Sequence, residues 1–307
     1  MLNNRLGVFL YLILQNRWSW NLLSEDEKKI IHKANYDHNN LRPDYKNPEQ
    51  YGTGLVDQGV SWDTFDADLP QKQNEIVFLM DYLAAHKPTR VLEIGPGSGF
   101  YSRQICETSS VKEYLACDIN NSFLEYLAPR LDGVKRTKPD FQYTLYHGNF
   151  QEMDLPLVDS IILMNTVHHI PNRLSLFDKL RKALAVNGSV ICVDPAHYFS
   201  RIVILLRKFS RFMHKSNYWL NRNNLSTHHF CTFSEFENIA KKVNLRISKV
   251  CFYDFSWPFR LYRIFHPMLQ KNLSKWNLEY YNLPVVDSET SLLRYFSGRI
   301  GLIFEKI

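Results

Sequence analysis

The amino-acid sequence predicts an α/β fold built on a doubly wound, mostly parallel sheet, and three observations carry that expectation. Val91–Ile94 is a short apolar run, broken by glycine at 95, 97 and 99 and followed by a helical stretch, Phe100–Cys106. A second apolar run, Tyr114–Cys117, ends in Asp118, at the distance where a βαβ unit places an acid at its second strand. Further apolar runs, at 143–146, 160–164 and 189–194, alternate with helical periodicity. With 307 residues, 45% of them hydrophobic, the chain can close one large core and a smaller appended one.

Taken in order, residues 1–71 precede the first predicted strand by too much to be a simple lead-in. Leu6–Leu14 is apolar but far shorter than the roughly 20 residues that span a bilayer, and no small-residue cleavage site follows it. It reads as a buried helix or as a membrane-surface anchor. Ser24-Glu25-Asp26-Glu27 has the pattern of a capping box, so a helix starts there. Residues 36–70 are rich in Pro, Gly and Asn but hold Tyr45, Tyr51, Trp62 and Phe65, which are costly to leave in water; this is an ordered loop region. Gln71–His86 is an amphipathic helix stopped by Lys87-Pro88. After the fourth strand and its loop, Asp159–Ile170, a helix carries Leu174, Phe177, Leu180 and Leu184, with Gly188 expected at its C′ position. Ser189–Asp194 is the fifth strand. Residues 201–215 read as a basic amphipathic helix, either packed on the core or resting on a membrane or an apolar substrate. A helix capped by Thr232 or Ser234 follows, then strands at Arg246–Tyr253 and Arg299–Lys306.

The glycine loop decides between ligand classes. A dinucleotide fingerprint needs Gly-x-Gly-x-x-Gly, whereas here the third glycine comes one position early, as Glu93-x-Gly95-x-Gly97-x-Gly99. Free N–H groups at the following helix start attract anionic groups, and missing Cβ atoms admit a ligand to the backbone. Together with the strand ending at Asp118, the run Tyr143–Phe150 and the run Asp159–Ile170, this resembles class I S-adenosylmethionine-dependent methyltransferases. The resemblance is close over residues 72–195 and weaker at 226–253 and 299–306. It implies a seven-stranded sheet with an antiparallel final strand and helical and aromatic insertions forming a cap. The domain would span 72–307, with insertions at 195–225 and 254–298, and residues 1–71 would form a lid over cofactor or substrate. It further implies S-adenosyl-L-methionine as cofactor, held by Glu93, Gly95, Gly97, Gly99, Tyr101, Asp118, Ile119, Asn149, Phe150 and Asn165. Asp118 would take the ribose hydroxyls. The family usually has Gly-Asp where this chain has Gly148-Asn149; asparagine keeps an acceptor and adds a donor.

Methyl transfer from a sulfonium needs alignment first and a proton acceptor only for hydroxyl or amine acceptors. The candidate bases are His168 and His169 in the loop after the fourth strand, ahead of His197, His228 and His229. Loops at the carboxyl ends of parallel strands line the ligand crevice, which favours His168. An ordinary structural histidine is the competing reading for each. No Asn-Pro-Pro-Tyr or Asp-Pro-Pro-Tyr run and no Pro-Cys pair follows the fourth strand, and a net charge of +6 is well short of a nucleic-acid tail. A small-molecule acceptor, lipid-like or aromatic, is therefore expected, with no nucleic acid and with peripheral membrane contact as a further expectation. The five cysteines stand singly, so neither a metal site nor a disulfide framework is expected, and a cytoplasmic location follows. A scaffold protein that only binds cofactor, and a nicotinamide-dependent oxidoreductase, are the alternatives to a methyltransferase.

Overall fold

The computed structural model describes residues 70–170, 172–195, 232–253 and 299–307, together with 20–31, 61–63 and the single positions 7, 10, 11 and 297. The predicted insertions at 195–225 and 254–298 and the candidate bases His197, His228 and His229 lie, all but Pro195 and Ser297, outside these residues.

Helix α1 (Pro70–His86) leads into β1 (Arg90–Ile94), α2 (Phe100–Glu107), β2 (Glu113–Asp118), α3 (Asn121–Thr137) and β3 (Gln142–His147). After a 3-10 turn at Phe150–Glu152 come β4 (Val158–Met164), a second such turn at Val167–His169, α4 (Arg173–Ala183) and β5 (Leu184–Pro195). Helix α5 (Phe233–Lys242), β6 (Leu245–Tyr253) and β7 (Arg299–Lys306) complete the sheet. Its order is β3-β2-β1-β4-β5-β7-β6. β1 to β5 pair in parallel, while β7 runs antiparallel to both β5 and β6, so the mixed seven-stranded sheet matches the expectation.

The winding places the crevice. From β1 the chain moves outward to β2 and β3, then returns to the far side of β1 to lay down β4 and β5. The direction reverses between β1 and β4, and ligands of open α/β sheets bind beyond the carboxyl ends of the strands at that reversal. Apolar cores fill both faces. One is packed from α1, α2 and α3 with Leu79, Phe100, Ile105 and Leu127; the other from α4 and α5 with Phe177, Leu180, Phe236 and Phe304. Buried Tyr82 of α1 shares its hydroxyl between Ser160 of β4 (2.5 Å) and Ser189 of β5 (2.6 Å). That anchor, near the amino end of β4 and midway along β5, holds α1 on the sheet, and Glu75 in its first turns reaches Asn165 just past the carboxyl end of β4.

One boundary differs from expectation. α4 stops at Ala183, not beyond Leu184, and Leu184 is extended (φ −79, ψ 132) and already paired with Val158 of β4. Gly188 therefore lies within β5, where a Cβ would come 3.0 Å from the Ala185 carbonyl and 3.1 Å from that of Asp159. The glycine marks a close backbone approach in an irregular stretch of the β4–β5 ladder, with Asn187 left-handed at φ 63, and not a helix end. The two predicted caps are present. Thr232 and Glu235 form a capping box on α5, and Ser24 and Glu27 exchange the same reciprocal pair, at 2.9 and 3.2 Å, around the helical residues 25–31.

Tyr11, in the apolar N-terminal run, is 1% exposed with its ring 5.1 Å from that of Trp20. No helix among the described residues is long and apolar enough to cross a membrane.

Candidate functional site

The turn between β1 and α2 is built by glycine because the backbone demands it. Gly95, Gly97 and Gly99 all have positive φ, at 72, 53 and 78, a region that costs an L side chain roughly 1–2 kcal/mol. At Gly95 and Gly99 space is short as well. A Cβ on Gly99 would lie 2.2 Å from Leu127 Cδ2, and one on Gly95 2.9 Å from Thr166 Oγ1. Gly95 N donates to the Cys117 carbonyl (2.8 Å), tying the loop to the end of β2.

Asp118 closes that end. Its carboxylate accepts from Asn120 N (2.8 Å) and Gly97 N (3.3 Å) and is 7% exposed. Burial pushes its pKa up to about 6, against the pull of those backbone donors. A carboxylate offers about four acceptor positions, so hydroxyl donors can still join it. Glu93 lies beneath the loop, not in the crevice. It accepts from Ser102 Oγ (2.7 Å) of α2 and Tyr114 Oη (2.6 Å) of β2, is 1% exposed, and is pushed by burial up to about 7. Ile119 follows Asp118 and takes His147 Nε2 on its carbonyl at 3.2 Å. Asn149 caps the 3-10 turn of buried Phe150. Its Oδ1 accepts from Gln151 N (3.1 Å) and its Nδ2 donates to Glu152 (3.0 Å), so part of its side chain's bonding is local.

Beyond β4 the edge is organised by two polar clusters of side chains. Asn165 is left-handed at φ 58, and its amide reaches the Tyr101 hydroxyl at 3.4 Å. Nδ2 donates to Glu75 (3.0 Å) and Oδ1 accepts from Arg299, while Tyr101 donates its hydroxyl to the same Glu75 carboxylate. Arg299 Nε approaches Glu75 at 3.3 Å. Tyr253 stands opposite Arg299 in the β6–β7 register with its hydroxyl buried and no hydrogen-bond partner among the described residues, and burial, with Glu75 nearby, raises its pKa well above the usual value. Thr166, next in sequence, is the residue that abuts Gly95, and its hydroxyl donates to the Ile94 carbonyl at 3.0 Å.

The second cluster faces the α4 side. His168, 8% exposed, meets Asp194 at the end of β5, with Nδ1 2.8 Å from Oδ1 and the His168 backbone N 3.4 Å from the same oxygen. Asp194 is fully buried. The His169 ring is tilted on that of His168 with centroids 4.0 Å apart, but His169 is the less buried of the two. Among the described residues, no group of three or more His, Cys, Asp or Glu is placed to hold a metal.

Part of the N-terminal extension lies on the glycine loop. Trp62 N donates to the Ser98 carbonyl (3.0 Å), Arg103 returns a bond to the Trp62 carbonyl (3.2 Å), and the Trp62 ring would sit 3.3 Å from a Cβ on Gly99.

Of the residues singled out from sequence, the structure brings Gly95, Gly97, Gly99 and Asp118 together at the switch point, joins Tyr101 to Asn165 through Glu75, and sets His168 on the neighbouring loop. Glu75, Thr166, Asp194 and Arg299 were not foreseen as site residues. Asp194 obeys the rule that picked out Asp118, an acid ending an apolar strand; Glu75 and Arg299 carry no local signal.

Residues 92–190 match a family model described as a methyltransferase domain. No curated protein matches the sequence. Among solved structures, a protein of Galdieria sulphuraria, provisionally named a sarcosine dimethylglycine methyltransferase, aligns with TM-score 0.51 at 16% identity, covering 84% of this chain and 98% of that one. A provisionally named methyltransferase of Bacillus halodurans aligns at TM-score 0.49 and 16% identity, over 76% of this chain and 99% of its own. The plantazolicin methyltransferase BpumL, solved with S-adenosylhomocysteine, aligns at TM-score 0.49 and 14% identity, over 92% and 98%. At these identities the likeness is one of fold.

Proposed function

We propose that this chain, which carries a class I methyltransferase domain on its central sheet, transfers a methyl group from S-adenosylmethionine to oxygen, nitrogen or carbon of a small, partly apolar or aromatic acceptor. The observation that carries the reading is the left-handed glycine loop with Asp118 bonded to its middle, at the switch point of the sheet. When bound, S-adenosylmethionine supplies a methyl activated by its sulfonium. The loop of Gly95, Gly97 and Gly99 would admit the cofactor to the backbone, and Asp118 would accept from its ribose hydroxyls. Ile119, Asn149 and Phe150 border the end of the crevice where the adenine would lie. Beside its local bonds Asn149 keeps one amide hydrogen and one oxygen lone pair for the adenine. Tyr101 and Asn165, tied to Glu75, bound the crevice on its other side, and Glu93 supports the loop from below. His168 is the base when the acceptor must lose a proton, with His169 the weaker candidate. The aromatic content of the chain supports an acceptor with apolar surface, and its single cysteines support a reducing, cytoplasmic setting.

Calorimetry with S-adenosylmethionine tests the cofactor. Micromolar affinity, about −8 kcal/mol, is expected for the full chain, and Gly97→Val should abolish it while the protein still unfolds cooperatively, its melting temperature lowered by only a few degrees for a side chain at positive φ. Unchanged affinity in that variant would mean the cofactor sits elsewhere. Mass spectrometry of a small-molecule panel with isotope-labelled methyl donor then identifies the acceptor.

A further inference from the structure

We infer that Asp194 is a positioning residue for His168, fixing the proton on Nδ1 and so leaving Nε2 as the basic nitrogen. This rests on the reading above, in which His168 serves as the base. The two residues come from different elements, the turn after β4 and the end of β5, and are 26 positions apart. Nδ1 and Oδ1 are 2.8 Å apart, and the His168 backbone N converges on the same oxygen at 3.4 Å. An ionised Asp194 facing a ring nitrogen only accepts, so that nitrogen donates. The tautomer of a histidine is set by the partner of its other nitrogen, and here that partner is held by a strand of the sheet. Asp194 is therefore placed to orient the ring and to stabilise the imidazolium that forms when a proton arrives. In that step the O–H or N–H bond of the acceptor breaks, the proton moves to Nε2, and the bonding pair stays on the acceptor atom. His168 then carries one positive charge beside the negative charge of Asp194, and returns the proton to water.

The other charged or titratable groups near this pair are few among the described residues. His169 shares the turn, its ring tilted on that of His168 with centroids 4.0 Å apart. From β7, Arg299 pairs with Pro195, one residue beyond Asp194, but its guanidinium is directed to Glu75 and Asn165. On α4, Arg173 is buried and approaches Glu235 at 3.9 Å. Among the described residues, the carboxylate that meets His168 Nδ1 is that of Asp194, at 2.8 Å.

The test is a proton–nitrogen correlation spectrum of full-length protein labelled at histidine, followed across pH, first on the unaltered chain. His168 should be the Nδ1–H tautomer at neutral pH; an Nε2–H tautomer there overturns the inference without any variant. In Asp194→Asn the His168 titration should fall by about one pH unit or more, the scale of removing an adjacent opposite charge. The acidic limb of methyl transfer should move with it, while affinity for S-adenosylmethionine stays within twofold. An unmoved His168 titration in a folded Asp194→Asn protein overturns the positioning role. Failure of S-adenosylmethionine to bind the unaltered chain would instead strike the functional reading, because the tautomer is read with no cofactor present.

Discussion

The two halves of the sheet's carboxyl edge are built by different means. Over β1 and β2 the site is made of backbone: three left-handed glycines, main-chain donors, and one carboxylate at a strand end. Over β4 to β7 it is made of side chains that reach each other across long stretches of sequence. Glu75 and Asn165 are 90 positions apart, and Arg299 and Asn165 are 134 apart. A backbone site must be written locally, because positive φ at alternate positions selects glycine wherever it occurs. A side-chain cluster has no such constraint, since any element that ends at the right place can supply a member. On the proposed reading, the first half would hold the cofactor and the second would border the acceptor.

The same contrast explains what was legible in the sequence. The strand–glycine–helix unit at 91–106 and Asp118 follow from local spacing, the mostly parallel seven-stranded sheet with its antiparallel final strand is what the resemblance implied, and the structure has both. Asn165 was legible as a position but not as a contact, because its left-handed backbone sends the amide to Glu75 and leaves Thr166 against the loop. Gly188 was misplaced because a glycine after a helix and a glycine at a close strand contact look alike in one dimension. Only the pairing of Leu184 with Val158 separates them.

Replacing Asp118 tests the backbone half at its one side chain. Asp118→Ala should weaken S-adenosylmethionine binding by about 1.5–3 kcal/mol, the range for hydrogen bonds to a charged group, and Asp118→Asn by less. Glu75→Gln, in the other half, should shift affinity less than Asp118→Ala. If calorimetry finds the order reversed, the boundary between the two halves is drawn in the wrong place.

A second experiment uses the raised carboxyls under the loop. Glu93 is pushed to about 7 and Asp118 to about 6, both above their ordinary values. A raised folded pKa means the native state holds the proton more tightly than the unfolded chain, so the stabilisation is complete below about 4.5 and is lost as pH rises through 7. Glu93→Gln should remove its share of that slope. Relative to the unaltered protein, the variant should gain on the order of 2 kcal/mol between pH 5 and pH 7.5. Parallel melting curves for the two proteins across that range would show that Glu93 is held ionised in the fold after all. The charge half of the comparison would then need revision, since a loop supported by a full carboxylate is not a purely backbone device.

The smallest effect belongs to the clip that joins the N-terminal extension to this half. Asp63 accepts from Arg130 Nε through both oxygens, at 3.0 and 3.1 Å, and from Tyr126 Oη at 2.9 Å, while the Arg130 guanidinium lies 3.4 Å above the Tyr126 ring. The side-chain hydrogen bond from Arg130 leads in holding the Asp63 carboxyl below its ordinary pKa. Asp63 is nevertheless 52% exposed, so water screens the pair. Asp63→Ala should therefore cost only about 0.5–1 kcal/mol, a fall of about 1–4 °C in the melting temperature. The backbone bond from Trp62 to Ser98 does not depend on that carboxylate, so cofactor affinity should change by less than twofold. A tenfold loss of affinity in Asp63→Ala would show that the extension, and not the glycine loop alone, shapes the cofactor half. The division between a backbone-built half and a side-chain-built half would then fail at its strongest point.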